Sequence, residues 1–297
     1  MKIPSLAIWF IQKRFERMIA KAVTNFYPDP IYRPKNNIPY LDDNHENHKF
    51  DVYYAKAKRK NVTIIDIHGG AYLFGHRLEN YNLARIFLDE GYDFIAIDYV
   101  PNTGKRNTID IVRDCMDCLY YISLHRRELN MEDNRFVICG DSAGGHLALL
   151  MAEILANDAL KEKFTSKNIN IKLEAILLNC PVYDYVPLGE DSMTRRARRR
   201  MFGPTFENME ERALISPREH IDDVNIPIFL STSRYDFIRN ESITLNKDLD
   251  ARNIDHNFVD IYSDNKKVAH VHNIVHPKLD ESVIVNQAML TFLSEKL

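Results

Sequence analysis

Seven short apolar runs, separated by stretches with a helical repeat, set the plan of this 297-residue chain. Phe50–Ala55, Val62–Ile67, Asp93–Tyr99, Arg135–Gly140, Leu173–Asn179, Pro227–Ser233 and His256–Tyr262 read as strands. Several are near-continuous runs of β-branched residues and Leu, the pattern of strands covered on both faces. Apolar positions at three- and four-residue steps predict helices over Asn80–Glu90, Thr108–His125, Ala143–Asn157, Asn240–Arg252 and Glu281–Leu297. Such alternation predicts an α/β fold, a mostly parallel central sheet flanked by helices. No repeat, low-complexity tract or Pro/Gly-rich linker divides the chain, so residues 1–297 are expected to form one domain.

Two segments break the alternation, residues 1–45 and about 184–215. In the first, Ile8, Ile11, Phe15, Met18, Ile19, Ala22 and Phe26 share one helix face, with Lys13, Arg14, Arg17 and Lys21 on the other. Most helices of this kind pack on the body of their protein; a basic helix lying on a membrane has the same pattern. No cleavage site follows the apolar run Ile3–Ile11, and no run reaches the ~18 apolar residues of a membrane span. The second segment holds Arg195, Arg196, Arg198, Arg199 and Arg200, expected to be a solvated helix face rather than a patch for an anionic substrate.

Composition narrows the partners. Hydrophobic residues at 45% and charged residues at 27% suit an ordinary globular domain, long enough to build a core without disulfide or metal. The net charge of −3 gives no basic field, so nucleic acid is not an expected partner. Cys115 and Cys118 form a C-x-x-C, but inside an amphipathic stretch and with no second pair. Together with Cys139 and Cys180 they are expected to be buried structural thiols, and nothing points away from the cytoplasm.

The chemistry is carried by two glycine-rich turns. Gly140-Asp141-Ser142-Ala143-Gly144 follows one predicted strand and opens a predicted helix. That context is what a nucleophile elbow requires: a sharp turn that projects the serine hydroxyl from the sheet edge, with the next N–H at a helix start. His68-Gly69-Gly70-Ala71 follows another strand, where glycines let backbone donors approach a reacting carbonyl. With Gly145, which directly follows the first of them, these two motifs hold five of the ten glycines, so glycine is concentrated where close backbone approach is needed.

A serine nucleophile needs a base, and the base needs an orienting acid, in the chain order Ser, acid, His for this arrangement. Asp236 lies just past the strand Pro227–Ser233 and is the best-placed acid. Asp222 and Asp223 precede that strand and Asp260 lies within the next, which suits ordinary surface carboxylates. His270, His272 and His276 all fall between the last strand and the last helix, and spacing alone does not choose among them. No further ligand motif accompanies these histidines, so neither metal nor cofactor is expected.

Over roughly residues 60–285 the chain resembles the hormone-sensitive-lipase-like branch of the α/β-hydrolases, which includes many carboxylesterases and acetyl esterases. The resemblance rests on His68-Gly69-Gly70 with Gly75, Asp98-Tyr99, Gly140-Asp141-Ser142-Ala143-Gly144-Gly145, Asp236 opening Asp-Phe-Ile-Arg-Asn-Glu, and His270-Val271 with Pro277 and Ser282. It implies the α/β-hydrolase fold with a small helical cap from residues 1–45 and 184–215, and it selects His270. It further implies the triad Ser142, Asp236 and His270, with oxyanion donors from Gly69, Gly70 and Ala143. The third glycine of the family's turn is Ala71 here, and Asp98-Tyr99 continues as Val100-Pro101-Asn102 instead of the family's usual Arg-Leu-Ala. The position after Val271, usually aromatic, is His272, which keeps it as a rival base. The expected activity is hydrolysis of a small, short-chain ester. Its rivals are an amidase or peptidase, a membrane-docked lipase, and a non-catalytic binding protein on the same scaffold. A homo-oligomer is compatible with the sequence.

Overall fold

A computed structural model describes residues 32, 34–102, 106–131, 134–184, 199 and 201–297. The amphipathic helix expected over residues 8–26 lies outside the described residues, as do Arg195, Arg196, Arg198 and Arg200 of the arginine run. Arg199 is exposed and stands 3.7 Å from Glu207.

Eight strands form one open sheet. They are β1 (Lys35–Pro39), β2 (Lys49–Tyr53), β3 (Thr63–Ile67), β4 (Asp93–Ile97), β5 (Arg135–Asp141), β6 (Lys172–Asn179), β7 (Ile228–Ser233) and β8 (His256–Ile261). The spatial order is β1-β2-β4-β3-β5-β6-β7-β8. The β1–β2 and β2–β4 pairings are antiparallel, and all others are parallel. Every residue of β3, β4 and β7 is buried, as their unbroken apolar runs predict.

Around the sheet stand helices α1 (Tyr81–Asp89), α2 (Thr108–His125), α3 (Ala143–Ala156), α4 (Asp158–Phe164), α5 (Met209–Leu214), α6 (Arg239–Ala251), α7 (His272–Val275) and α8 (Asp280–Lys296), with short 3-10 turns at Gly203–Glu207, Pro217–Glu219 and Ile221–Asp223. Alternate strand residues feed two cores. Ile65, Ile67, Ile138 and Ile176 pack with α2, α3 and α6 on one face. Ile64, Val137, Leu177 and Phe229 pack with α1 and α8 on the other. Cys115, Cys118, Cys139 and Cys180 are all buried and free.

Residues 35–39, part of the segment that the family resemblance assigned to a cap, form the edge strand of the central sheet. Their sequence, Lys-Asn-Asn-Ile-Pro, has no apolar alternation and stays mostly exposed. Its order comes from pairing with β2, and a proline is tolerated at a sheet edge, where a donor is dispensable. All the candidate chemistry sits at the carboxyl edge of the parallel strands: His68 after β3, Ser142 after β5, Asp236 after β7 and His270 after β8. Open α/β sheets collect their ligand-binding groups along that edge.

Candidate active site

Ser142 stands between β5 and α3 with φ 52° and ψ −117°, a conformation that costs a non-glycine residue on the order of 1–3 kcal/mol. Its N–H donates to the Asn179 carbonyl (3.0 Å), and its own carbonyl accepts from Val182 (3.0 Å). The segment after β6 therefore clasps the serine backbone on both sides and holds the strain in place. The turn also needs empty space beneath it: a Cβ on Gly144 would overlap the Ile67 carbonyl oxygen at the end of β3.

Strain is concentrated at this edge. Ten described non-glycine residues have positive φ, and five of them are Ala71, Tyr72, Ser142, Cys180 and Val271. Four of the other five are Asn, which tolerates such a backbone. Val271, β-branched at φ 49°, is a strong outlier and directly follows His270.

His270 Nδ1 lies 2.7 Å from Asp236 Oδ1. Asp236 Oδ1 also accepts from the Ile238 N–H (3.1 Å), and Oδ2 accepts from the Thr232 hydroxyl (2.8 Å). Burial opposes the charge on Asp236, but the His270 bond and charge, with the two other donors, outweigh it and hold the carboxyl below its usual range. A carboxylate in that state fixes the imidazole with its proton on Nδ1 and leaves Nε2 free to accept another. Cys180 Sγ lies beside this pair and accepts from the Val271 N–H (3.3 Å). The clasp that holds Ser142 thus also touches the His270 segment. The charge of His270 is likewise felt at Asp141, next to the serine.

The rival histidines are placed elsewhere. His272 is buried, with Nδ1 3.0 Å from the Ser282 hydroxyl, and burial pushes its pKa down to about 4. His276 is exposed beyond α7. Asp222 pairs with Arg252, and Asp260 with Arg239.

The His68 turn is built for rigidity. His68 is fully buried and stacks on Tyr99 with ring centroids 4.4 Å apart. Its Nδ1 lies 2.8 Å from the Gly69 carbonyl, which also accepts from the Tyr99 hydroxyl (2.9 Å). Asp98, the first residue of the Asp98-Tyr99 pair, is buried against the Arg77 guanidinium, which also reaches Asp51 (2.9 Å). The Gly69 N–H donates to Asp141 Oδ1 (3.0 Å), so it is engaged by that carboxylate. Of the expected oxyanion donors, this leaves Gly70, at φ 106°, and Ala143, at the first position of α3.

Sequence reasoning missed what lies under the turn. Asn80 Nδ2 bridges Asp66 (3.0 Å) and Asp141 (2.8 Å), joining β3 to the start of the Ser142 turn through one amide. Burial, with the charge of Asp141, pushes Asp66 well above the ordinary carboxylate value, and burial raises Asp141 as well. The available signal was Asp66 itself, the one acidic residue in the otherwise uncharged run Val62–Ile67.

Several comparisons bear on this arrangement. The BD-FAE family model matches residues 50–249, more than half of the chain. Among solved structures, esterase B from Lactobacillus rhamnosis, inhibited by a C4-C4 tributyrin phosphonate, superposes with TM-score 0.85 at 22% identity, covering 98% of this chain and 96% of that one. The Pyrobaculum calidifontis esterase gives 0.74 at 18% identity, covering 99% and 95%. A propionate-bound esterase from Thermogutta terrifontis gives 0.68 at 21%, covering 91% and 96%. Likenesses at these identities establish a shared fold. A search of curated proteins finds no match.

Proposed function

Since the chain belongs to the BD-FAE family, within the α/β-hydrolase fold, we propose that it is a serine carboxylesterase acting on small, short-chain acyl esters through Ser142, His270 and Asp236. The observation that carries the proposal is the 2.7 Å Asp236–His270 pair on the same sheet edge as the strained Ser142, with residues 179–182 contacting both. A structural histidine would have no need of a buried ionised carboxylate with three donors, nor a structural serine of so costly a backbone.

Ser142 Oγ attacks the ester carbonyl while His270 Nε2 takes its proton. Asp236 keeps the other imidazole proton on Nδ1 and stabilises the imidazolium that forms. The N–H groups of Gly70 and Ala143 meet the developing oxyanion, and Gly69 joins them only if its N–H leaves Asp141. His270 then returns the proton to the departing alcohol, and water hydrolyses the acyl-enzyme by the same route. The exposed ring of Phe237, 78% accessible and 4.4 Å from the imidazole, stands at the mouth where substrate would arrive. Short acyl groups are favoured by analogy with the butyryl- and propionyl-sized ligands of two structural relatives.

The test is hydrolysis of p-nitrophenyl esters from acetate to palmitate by wild type and Ser142→Ala. Turnover should be greatest on the short chains and fall by about 10⁶-fold in the variant, as in other serine triads. Activity that survives in folded Ser142→Ala, or amide cleavage matching that of equivalent esters, would overturn the assignment.

A further inference from the structure

We propose that Cys180, Asp236 and His270 form a binding site for a soft or borderline divalent cation such as Zn²⁺ or Cd²⁺, through which the metal switches the enzyme off. One ligand atom from each residue lies within 4.8 Å of the other two, the only such trio among the described residues. Three separate strand ends bring them together: Cys180 follows β6, Asp236 follows β7 and His270 follows β8. Cys180 is fixed at φ 48° by its N–H bond to the Ser231 carbonyl (2.8 Å), and its thiol lies against the Asp236 carboxylate.

A thiolate, an imidazole and a carboxylate suit zinc-like ions rather than Mg²⁺ or Ca²⁺, which prefer all-oxygen sets. Zinc bonds of about 2.3 Å to sulfur and about 2.0–2.2 Å to nitrogen and oxygen place tetrahedral ligands roughly 3.3–3.7 Å apart. The Asp236–His270 pair, now 2.7 Å apart, must therefore open by no more than about 1 Å. Metal bonds form to Cys180 Sγ, His270 Nδ1 and a carboxylate oxygen of Asp236, and the thiol proton leaves to solvent. The imidazole stays neutral by carrying its proton on Nε2 instead of Nδ1. That is the nitrogen that must accept the proton of Ser142, so the bound metal holds the base in its unreactive tautomer. The inhibition rests on the assignment of His270 as general base; the binding itself does not.

Two readouts separate these levels. Cd²⁺ is titrated into wild type, Cys180→Ser, Cys180→Ala and Ser142→Ala, following the ultraviolet thiolate-to-metal absorbance. Zn²⁺ is titrated into ester hydrolysis by the first three, with Mg²⁺ as control. The absorbance should appear in wild type and Ser142→Ala and be lost in both Cys180 variants. Half-inhibition by Zn²⁺, relative to each protein's own uninhibited rate, should need at least about tenfold more metal without Cys180, the lower end of what losing even an outer partner of a ligand costs. Absorbance that persists in folded Cys180→Ser or Cys180→Ala, or equal inhibition of all three proteins, would overturn the proposal. A wild-type protein that binds Cd²⁺ through Cys180 but hydrolyses no ester would uphold the site and sink the esterase assignment instead.

Discussion

Thr232→Val probes the Asp236 carboxylate because it replaces one hydroxyl donor with a methyl group and changes little else. The Thr232 hydroxyl donates to Asp236 Oδ2 across 2.8 Å, and the two residues are 1% and 5% exposed. Valine keeps the volume and β-branching, so β7 and its packing persist. A hydrogen bond to a charged group is worth about 1.5–3 kcal/mol, and here no water can replace the lost donor. The folded protein should lose about that much stability at neutral pH. The sign of the pH dependence follows from the depressed pKa of Asp236. Its ionised form stabilises the fold fully above the ordinary carboxylate value, and that contribution is lost as pH falls through the lower, folded value. The gap between wild type and variant should therefore close on acidification. If the whole bond is felt in the transition state, kcat/KM falls by roughly 10- to 150-fold. Urea unfolding at neutral pH, and at the lowest pH where both proteins stay folded, gives the first quantity. Hydrolysis of p-nitrophenyl acetate gives the second, with Thr232→Ser as the variant that keeps the hydroxyl. Equal stability and kcat/KM in Thr232→Val and wild type would refute the reasoning, as would an equal loss in Thr232→Ser.

Gly144→Ala drives a methyl into the Ile67 carbonyl and the His68 backbone, so β3 and the His68 turn must shift. A cost of about 1–3 kcal/mol or more in thermal unfolding is expected, with a fall in turnover out of proportion to the folded fraction; an unperturbed variant would contradict the close approach. His146 is fully buried, and burial pushes its pKa down to about 4. The unfolded chain therefore binds its proton first, and stability should rise by up to about 3 kcal/mol between pH ~4 and ~6.5 on this account. Asp66 and Glu153, raised by burial, contribute with the opposite sign, so the informative quantity is the difference between wild type and His146→Gln. Parallel stability–pH curves for the two proteins would defeat the assignment.

Much of the site was legible because glycine-rich turns and strand runs are local signals. The motif around Ser142 lies where its flanking strand and helix predicted, and the strand that precedes Asp236 was equally clear. Of the three histidines between which spacing did not choose, His270 is the one bonded to Asp236, a contact that only the fold brings about. The edge strand Lys35–Pro39 was hidden because polar residues at a sheet edge are ordered by their partner rather than by their own burial. The engagement of Gly69 by Asp141 was hidden for a similar reason: a side chain's direction depends on what lies across from it.

The sequence by itself determined the main alternation of strands and helices, the two glycine-rich turns and the local setting of the loop that carries Ser142. These follow from hydrophobic period and from backbone conformations that only certain residues tolerate. Tertiary structure alone decided what faces what. It placed Cys180 against Asp236 and His270, joined Asp66 to Asp141 through Asn80, and buried His272 against Ser282. Residues far apart in the chain meet at the carboxyl edge of one sheet because parallel strands must all end on the same side. Which of them touch is set by strand order, and strand order is not written in any local stretch of sequence.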